Sequence, residues 1–253
     1  SGAIGAGMGL LSMKKRPVKL EELQAAASIG QSSLMHLYSD YFKERGYLAG
    51  QILLTQEDFN DRVRYLNIKK TIETLLSHKA VPIINENDTV STEEIKCGDN
   101  DRLSSLVSDL CRADMLILLT DVDGLLDEKC NVVNFVDDMS FGVTKLARSN
   151  KCELGIGGMA SKLESIGVSM ASGVECIIAN GKTKNIIVDI INGKLVGTRF
   201  KGSGAKLLAK KRWIAFSSRP KGSIYVDSGA REALSNKNKS LLASGIVEVD
   251  GRF

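Results

Sequence analysis

The chain has 253 residues, 43% of them hydrophobic and 25% charged, with a formal net charge of +4. These are the proportions of a globular protein of one or two domains, and no apolar run approaches the roughly 20 residues that a membrane-spanning helix needs. The charge is too small to argue for nucleic acid and suits a protein that meets anionic small molecules. No signal peptide is visible, and the five cysteines (Cys97, Cys111, Cys130, Cys152, Cys176) form no C-x-x-C pair. That usage reads as reduced thiols in a cytoplasmic protein, not as a disulfide framework or a zinc site.

In chain order, "SGAIGAGMG" (1–9) reads as the end of a strand running into a Gly-rich turn. A strand is therefore expected before Ser1, and the chain reads as truncated there and again at "IVEVDGRF", which stops in mid-pattern. From 17 to 46, Leu20, Leu23, Ala27, Ile29, Leu34, Leu37 and Tyr38 recur at helical spacing, with Gly30 a candidate break into two helices. "GQILLT" (50–55) is a strand, 57–79 a helix, and "VPIIN" (81–85) the next strand. A helix is expected over 101–112, then "DMLILLTDVDG" (114–124) as an apolar strand ending in Asp-Val-Asp-Gly. "GIGGMASKLESIGVSMASG" (155–173) is a Gly-rich entry to a helix, and "VECIIAN" (174–180) a further strand.

Continuously apolar strands alternating with helices predict an α/β fold, a mainly parallel sheet covered on both faces. Ligands in such folds lie at the C-terminal ends of the strands. The polar stretches "SGAIGAG", "NEND", "TDVDG" and "ANGKTKN" all follow strands. Beyond 197 the texture turns basic and Gly-rich, and the last stretch reads as strand, helix, turn and strand, with a domain boundary near 217–222.

Three motifs suggest chemistry. The acidic stretch "NENDTVSTEEIKCGDND" (85–101) ends a buried strand on far more charge than a solvated loop requires, although a plain surface loop is the simpler account. "GIGGMASK" (155–162) places backbone N–H groups at a helix entrance with Lys162 one turn inside, an anion site or else a flexible turn. It matches neither the P-loop pattern nor G-x-G-x-x-G. "TDVDG" (120–124) could be a simple turn or a nucleotide contact. His36 and His78 fall in helical stretches, where a helix-end role suits His78 better than catalysis. No Ser/His/Asp arrangement or metal-ligand spacing emerges, which fits a reaction whose nucleophile is already ionised and needs only positioning and charge neutralisation.

Taken together, "SGAI", "GQILLT", "VPIINEND", "EIKCGDND", "LLTDVDGL", "GGMASKL" and "KRWIAF" resemble the bacterial glutamate 5-kinases of the amino-acid kinase superfamily, from Ser1 to Phe253. The resemblance implies an αβα sandwich over 1–216 and the start of a PUA-like β domain over 222–253. It implies transfer of the ATP γ-phosphoryl to the side-chain carboxylate of L-glutamate, the first step of proline biosynthesis, with ATP and Mg²⁺ as cofactors. Proline would be a feedback inhibitor, with Asp58 and Glu94 as its candidate contacts, and the enzyme a cytoplasmic homo-oligomer, dimer or tetramer, with no nucleic-acid or membrane partner.

Residue by residue, it implies that Ser1, Asp88 and Asn100 bind glutamate and that Asp101 orients the catalytic lysine Lys162. Thr120 and Asp121 would contact the nucleotide, and Ile156, Gly157, Gly158, Met159, Ala160, Ser161 and Lys162 would form its phosphate loop. The family usually has Thr where this chain has Ile156, and its first strand and lysine–glycine loop would lie upstream of Ser1. A chain beginning at Ser1 would lack that loop's lysine and its activity. The competing readings are an aspartate, acetylglutamate or nucleotide kinase with the same sheet, and a non-catalytic RNA-binding or regulatory fragment.

Overall fold

A computed structural model describes residues 2–90, 99–137, 156–202, 222–237 and 239–251. The chain divides into two compact units, Ser1–Ser217 and Ser218–Phe253.

The first unit opens with helix α1 (Ala3–Leu10), so the stretch expected to finish a strand is helical instead. Helix α2 (Leu20–Lys43) follows, carrying Glu21 and Glu22 in its first turn and Lys43 in its last, each matched to the helix dipole. It ends where Gly46, at φ 75°, lets the Gly46 and Tyr47 N–H groups reach the carbonyls of Lys43 and Phe42. Gly30 does not break this helix. Its place is a contact: a side chain there would strike the Ala3 carbonyl and the Gly7 nitrogen, and one at Gly7 would strike the Ala26 carbonyl. The buried face of α2 is accordingly Leu23, Ala26, Ala27, Gly30 and Gln31, at i, i+3, i+4, i+7 and i+8, with the small Ala26, Ala27 and Gly30 at its centre. Ile29, Leu37 and Tyr38, expected on the buried face, are exposed.

Strand β1 (Leu48–Leu54) pairs in parallel with β2 (Ala80–Glu86), from Leu48 opposite Ala80 to Leu54 opposite Glu86. Between them the expected single helix is two, α3 (Gln56–Asn60) and α4 (Arg62–Ser77). The break is Asp61, extended at ψ 121°, whose carboxylate accepts from the N–H groups of Val63 and Arg64 at 2.8 Å. An Asp so placed prefers to cap a new helix than to continue an old one. His78 is the C-cap of α4, its N–H donating to the Thr74 and Leu75 carbonyls. Leu54, Phe59, Tyr65, Ile68 and Ile72 form one core with Leu103, Leu106 and Leu110 of α5 (Asp99–Cys111).

Strands β3 (Met115–Thr120), β4 (Phe135–Val136), β5 (Glu175–Asn180) and β6 (Thr198–Phe200) form a sheet in the order β3-β5-β6-β4. The β3/β5 and β4/β6 pairs are parallel and β5/β6 is antiparallel, so the unit is mainly parallel, as expected. The short strands β4 and β6 were not foreseen. Alternation assigns the two faces. Cys176 and Ile178 join Leu118, Leu163 and Ile166 on the side of α6 (Ile156–Ala171), while Ile177 and Ala179 meet Ile186 and Ile190 of α7 (Ile186–Ile191) on the other. Helices on both faces explain why β5 reads as continuously apolar. Cys111 and Cys176 are free thiols, but Cys130 is in a disulfide, so the expectation of reduced thiols throughout fails at that residue.

The second unit pairs β7 (Gly222–Val226) antiparallel with β8 (Ile246–Gly251), with α8 (Ser228–Lys237) between them. Asp227 caps that helix by accepting from the Ala230 N–H at 2.7 Å.

Candidate active site

Helices α5 and α6 lie side by side in the same direction. Two contacts show it: Lys162 Nζ donates to Asp101 Oδ2 at 3.0 Å, and Ser108 and Ser169 share a hydroxyl hydrogen bond at 3.1 Å, both pairs 61 residues apart. Each helix advances about two turns between these contacts. Both N-termini therefore point the same way, and their free N–H groups and dipoles add positive character at that end. Asp101 and Lys162 are each largely buried, with side-chain exposures of 17% and 16%. In such surroundings a lone charge is costly and a paired one keeps its place. Small buried serines, Ser105, Ser108, Ser165 and Ser169, let the helices approach this closely.

Lys162 stands in the second turn of α6, one turn inside it, with Ile156, Gly157 and Gly158 already helical. Gly158 has open space where a side chain would project. Met159 is buried in the core, Ala160 is exposed and Ser161 is half-buried.

The last residues of β2 and the first of α5 are joined by amides. Asn100 Nδ2 donates to Asn85 Oδ1 at 2.8 Å, Asn85 Nδ2 donates to Gln31 Oε1 at 2.8 Å, and Asn100 Oδ1 accepts from the Glu86 N–H at 3.4 Å. Asn85 and Gln31 are buried. Asp88, half-buried, sits in a turn pinned to the end of β1 by the Asn87 N–H donating to the Leu54 carbonyl at 2.8 Å. Asn100 and Asp101 are neighbours in α5, so the amide chain and the Lys162 pair meet there.

Thr120 ends β3 opposite Asn180 at the end of β5. Its carbonyl accepts from the Gly181 N–H at 2.8 Å, and its hydroxyl donates to Asp121 at 3.2 Å. Asn180 donates to Asp123 at 2.8 Å, tying the two post-strand loops together. Gly124, at φ 158°, lies against Thr198, whose buried hydroxyl accepts from the Leu125 N–H at 2.8 Å. Asp121 itself is exposed.

Of the remaining candidates, Ser1 and Glu94 lie outside the described residues. Asp58 is engaged locally: it accepts from the Thr55 N–H at 2.7 Å and pairs with Arg64 at 2.9 Å. Asn85 and Asn180 fall in polar stretches already marked, whereas Gln31, Ser108, Ser169 and Thr198 had not been singled out as site residues. The signal at Gln31 and Asn85 was a polar amide on an apolar helix face and at the end of an apolar strand; Ser108, Ser169 and Thr198 carry no local signal.

The profile of the amino acid kinase family matches residues 1–180. Glutamate 5-kinase of a Thermoanaerobacter species is 44% identical across all of this chain, which covers 70% of that protein. Glutamate 5-kinase of Geobacter sulfurreducens is 41% identical, again across all of this chain and 69% of its own length. Among solved structures, that of Giardia carbamate kinase matches with a TM-score of 0.51 and 19% identity, over 79% of this chain and 80% of that one. A likeness at that identity speaks for the fold alone. The chain belongs to the amino acid kinase family and, within it, to the glutamate 5-kinases.

Proposed function

We propose that the protein transfers the γ-phosphoryl of ATP to the side-chain carboxylate of L-glutamate, giving glutamyl 5-phosphate for proline biosynthesis, with Lys162 and Asp101 at the point of transfer. The observation that carries the assignment of residues is the part-buried Lys162–Asp101 pair, one residue from Asn100 and its amide chain.

A carboxylate is already a nucleophile at neutral pH. The barrier lies in bringing two anions together and in the charge on the moving phosphoryl, so the protein's work is positioning and neutralisation. The Lys162 ammonium neutralises that charge, and Asp101 keeps it aimed along the common N-terminal end of α5 and α6. Asp88 receives the α-ammonium of glutamate, while Asn100 and Ser1 help to orient it. Thr120, Asp121 and the stretch Ile156–Ser161 take the nucleotide, Met159 through its backbone because its side chain is in the core. Among the described residues no three of His, Cys, Asp or Glu come together to hold a metal. Mg²⁺ bound with ATP would supply further positive charge at its phosphates. Among the described residues no helix is long and apolar enough to cross a membrane.

The reading is tested by trapping the acyl phosphate with hydroxylamine in the full-length protein supplied with ATP. L-glutamate should give the hydroxamate; a larger yield from L-aspartate or N-acetylglutamate would overturn the substrate assignment.

A further inference from the structure

Gln31 carries a buried donor with no partner. Its residue exposure is 8%, and among the described residues Nε2 has no hydrogen-bond partner. A buried amide left so costs about 1–3 kcal/mol unless something arrives to accept from it.

The direction of the amide is set from a distance. At one end of the chain stands the Glu86 N–H, a backbone group that can only donate. Asn100 therefore presents Oδ1 to it and Nδ2 to Asn85, Asn85 presents Oδ1 to Asn100 and Nδ2 to Gln31, and Gln31 presents Oε1 to Asn85. Reversing any amide would set donor against donor or acceptor against acceptor. Gln31 is left with Nε2, and hence a donor, as its unpartnered group. It lines a cavity of about 280 Å³ at the C-terminal ends of β1 and β2, together with Gln51, Leu53, Glu86, Asn87 and Asp88. Asp88 and Gln31 thus line one cavity, and a carboxylate beside an unpartnered N–H donor is the complement of an amino acid's ammonium and carboxylate.

We propose that Gln31 is a specificity-determining residue of the amino-acid subsite, its Nε2–H donating to the α-carboxylate of the substrate. The inference rests on the reading of the site as that of a glutamate kinase. Within it, the substrate's α-carboxylate completes a five-member hydrogen-bonded line from the Glu86 backbone through Asn100, Asn85 and Gln31. Binding at one end then stiffens Asn100 at the other, beside Asp101.

The test compares L-glutamate with 4-aminobutyrate, the same molecule without its α-carboxylate, in wild-type protein and in Gln31→Met and Gln31→Glu. Acyl-phosphate trapping gives kcat/KM for each; where 4-aminobutyrate turnover is below detection, its inhibition constant against glutamate replaces it. Gln31→Met should lower kcat/KM for glutamate by roughly tenfold to a hundredfold, the worth of a hydrogen bond to a charged group, and leave 4-aminobutyrate within about threefold. Gln31→Glu, which keeps the size and the acceptor for Asn85, should lose more, because a carboxylate would face a carboxylate. An equal fall for both substrates overturns the proposal and leaves Gln31 only a support for Asn85. Should neither variant fold, a wild-type protein that handles the two substrates alike also overturns it. Wild-type protein inactive on glutamate would sink the kinase reading itself, a distinguishable failure.

Discussion

Lys162 Nζ sits 3.0 Å from Asp101 Oδ2, an ammonium and a carboxylate held between two parallel helices toward their N-terminal ends. If this ammonium binds the transferring phosphoryl more tightly in the transition state than in the ground state, its loss falls on kcat. Lys162→Ala should reduce kcat by about two to four orders of magnitude and move the glutamate KM little. Lys162→Arg should rescue poorly, since a planar fork does not occupy the place of a compact ammonium. Wild-type turnover in both variants would mean that Lys162 is only a structural partner of Asp101.

The amino-acid side should separate from the nucleotide side. Asp88→Ala and Asn100→Ala are expected to raise the glutamate KM by at least about tenfold, roughly 1.4 kcal/mol, with the ATP KM nearly unchanged. Steady-state kinetics with each substrate varied in turn decides it; a rise confined to ATP would contradict the assignment.

Ser108 and Ser169 set the register that brings Lys162 to Asp101, because both pairs have the same sequence offset. Ser169→Ala removes its buried hydrogen bonds to Ser108 and Cys176 and should cost about 1–3 kcal/mol of stability with kcat nearly intact. Ser169→Leu forces a large side chain between the helices and should lower kcat through the displaced lysine, by an amount that pairing with Lys162→Ala shows to be non-additive.

Crossing of α1 and α2 depends on missing side chains. Gly30→Ala and Gly7→Ala each put a methyl group into a backbone atom of the other helix and should destabilise by about 1–3 kcal/mol or more, read as a lower Tm. Gly9→Ala is the control: nothing lies within 4 Å of its added carbon.

Burial pushes the Cys176 thiol up to about 12 from an ordinary 9.0, and burial also raises Cys111, to which Glu73 adds. The folded protein then binds more protons than the unfolded chain between those limits, so this thiol's contribution to stability is intact below pH 9.0 and lost as pH climbs toward 12. Iodoacetamide at pH 8 should leave Cys176 unmodified until denaturant is added; its rapid alkylation in the native state would contradict the burial.

Much of this was legible before any coordinates. Strands that are apolar throughout, such as Cys176–Ala179, betray burial on both faces. Motif resemblance then paired Asp101 with Lys162, which no spacing rule could connect across 61 residues. The face of α2 was misread because hydrophobicity is a poor guide where backbones touch: Ala26 and Gly30 are buried while Leu37 is 52% exposed. The break at Asp61 was missed because capping is a three-residue matter that an apolar period does not record. β4 and β6, two and three residues long, have no period to detect.

The clasp on the loop after β3 comes from far down the chain: the Leu125 N–H is held by a hydroxyl 73 residues later, at Thr198. A polypeptide leaves the ribosome at about 5–20 residues per second, so this loop waits roughly 4–15 seconds for its fastener to be synthesised. Throughout that interval the loop after β3 has no fastener, and a nascent chain released short of Thr198 would carry β3 without the strand that secures its loop. The order of synthesis thus makes the fixing of this loop one of the last steps by which the unit is completed.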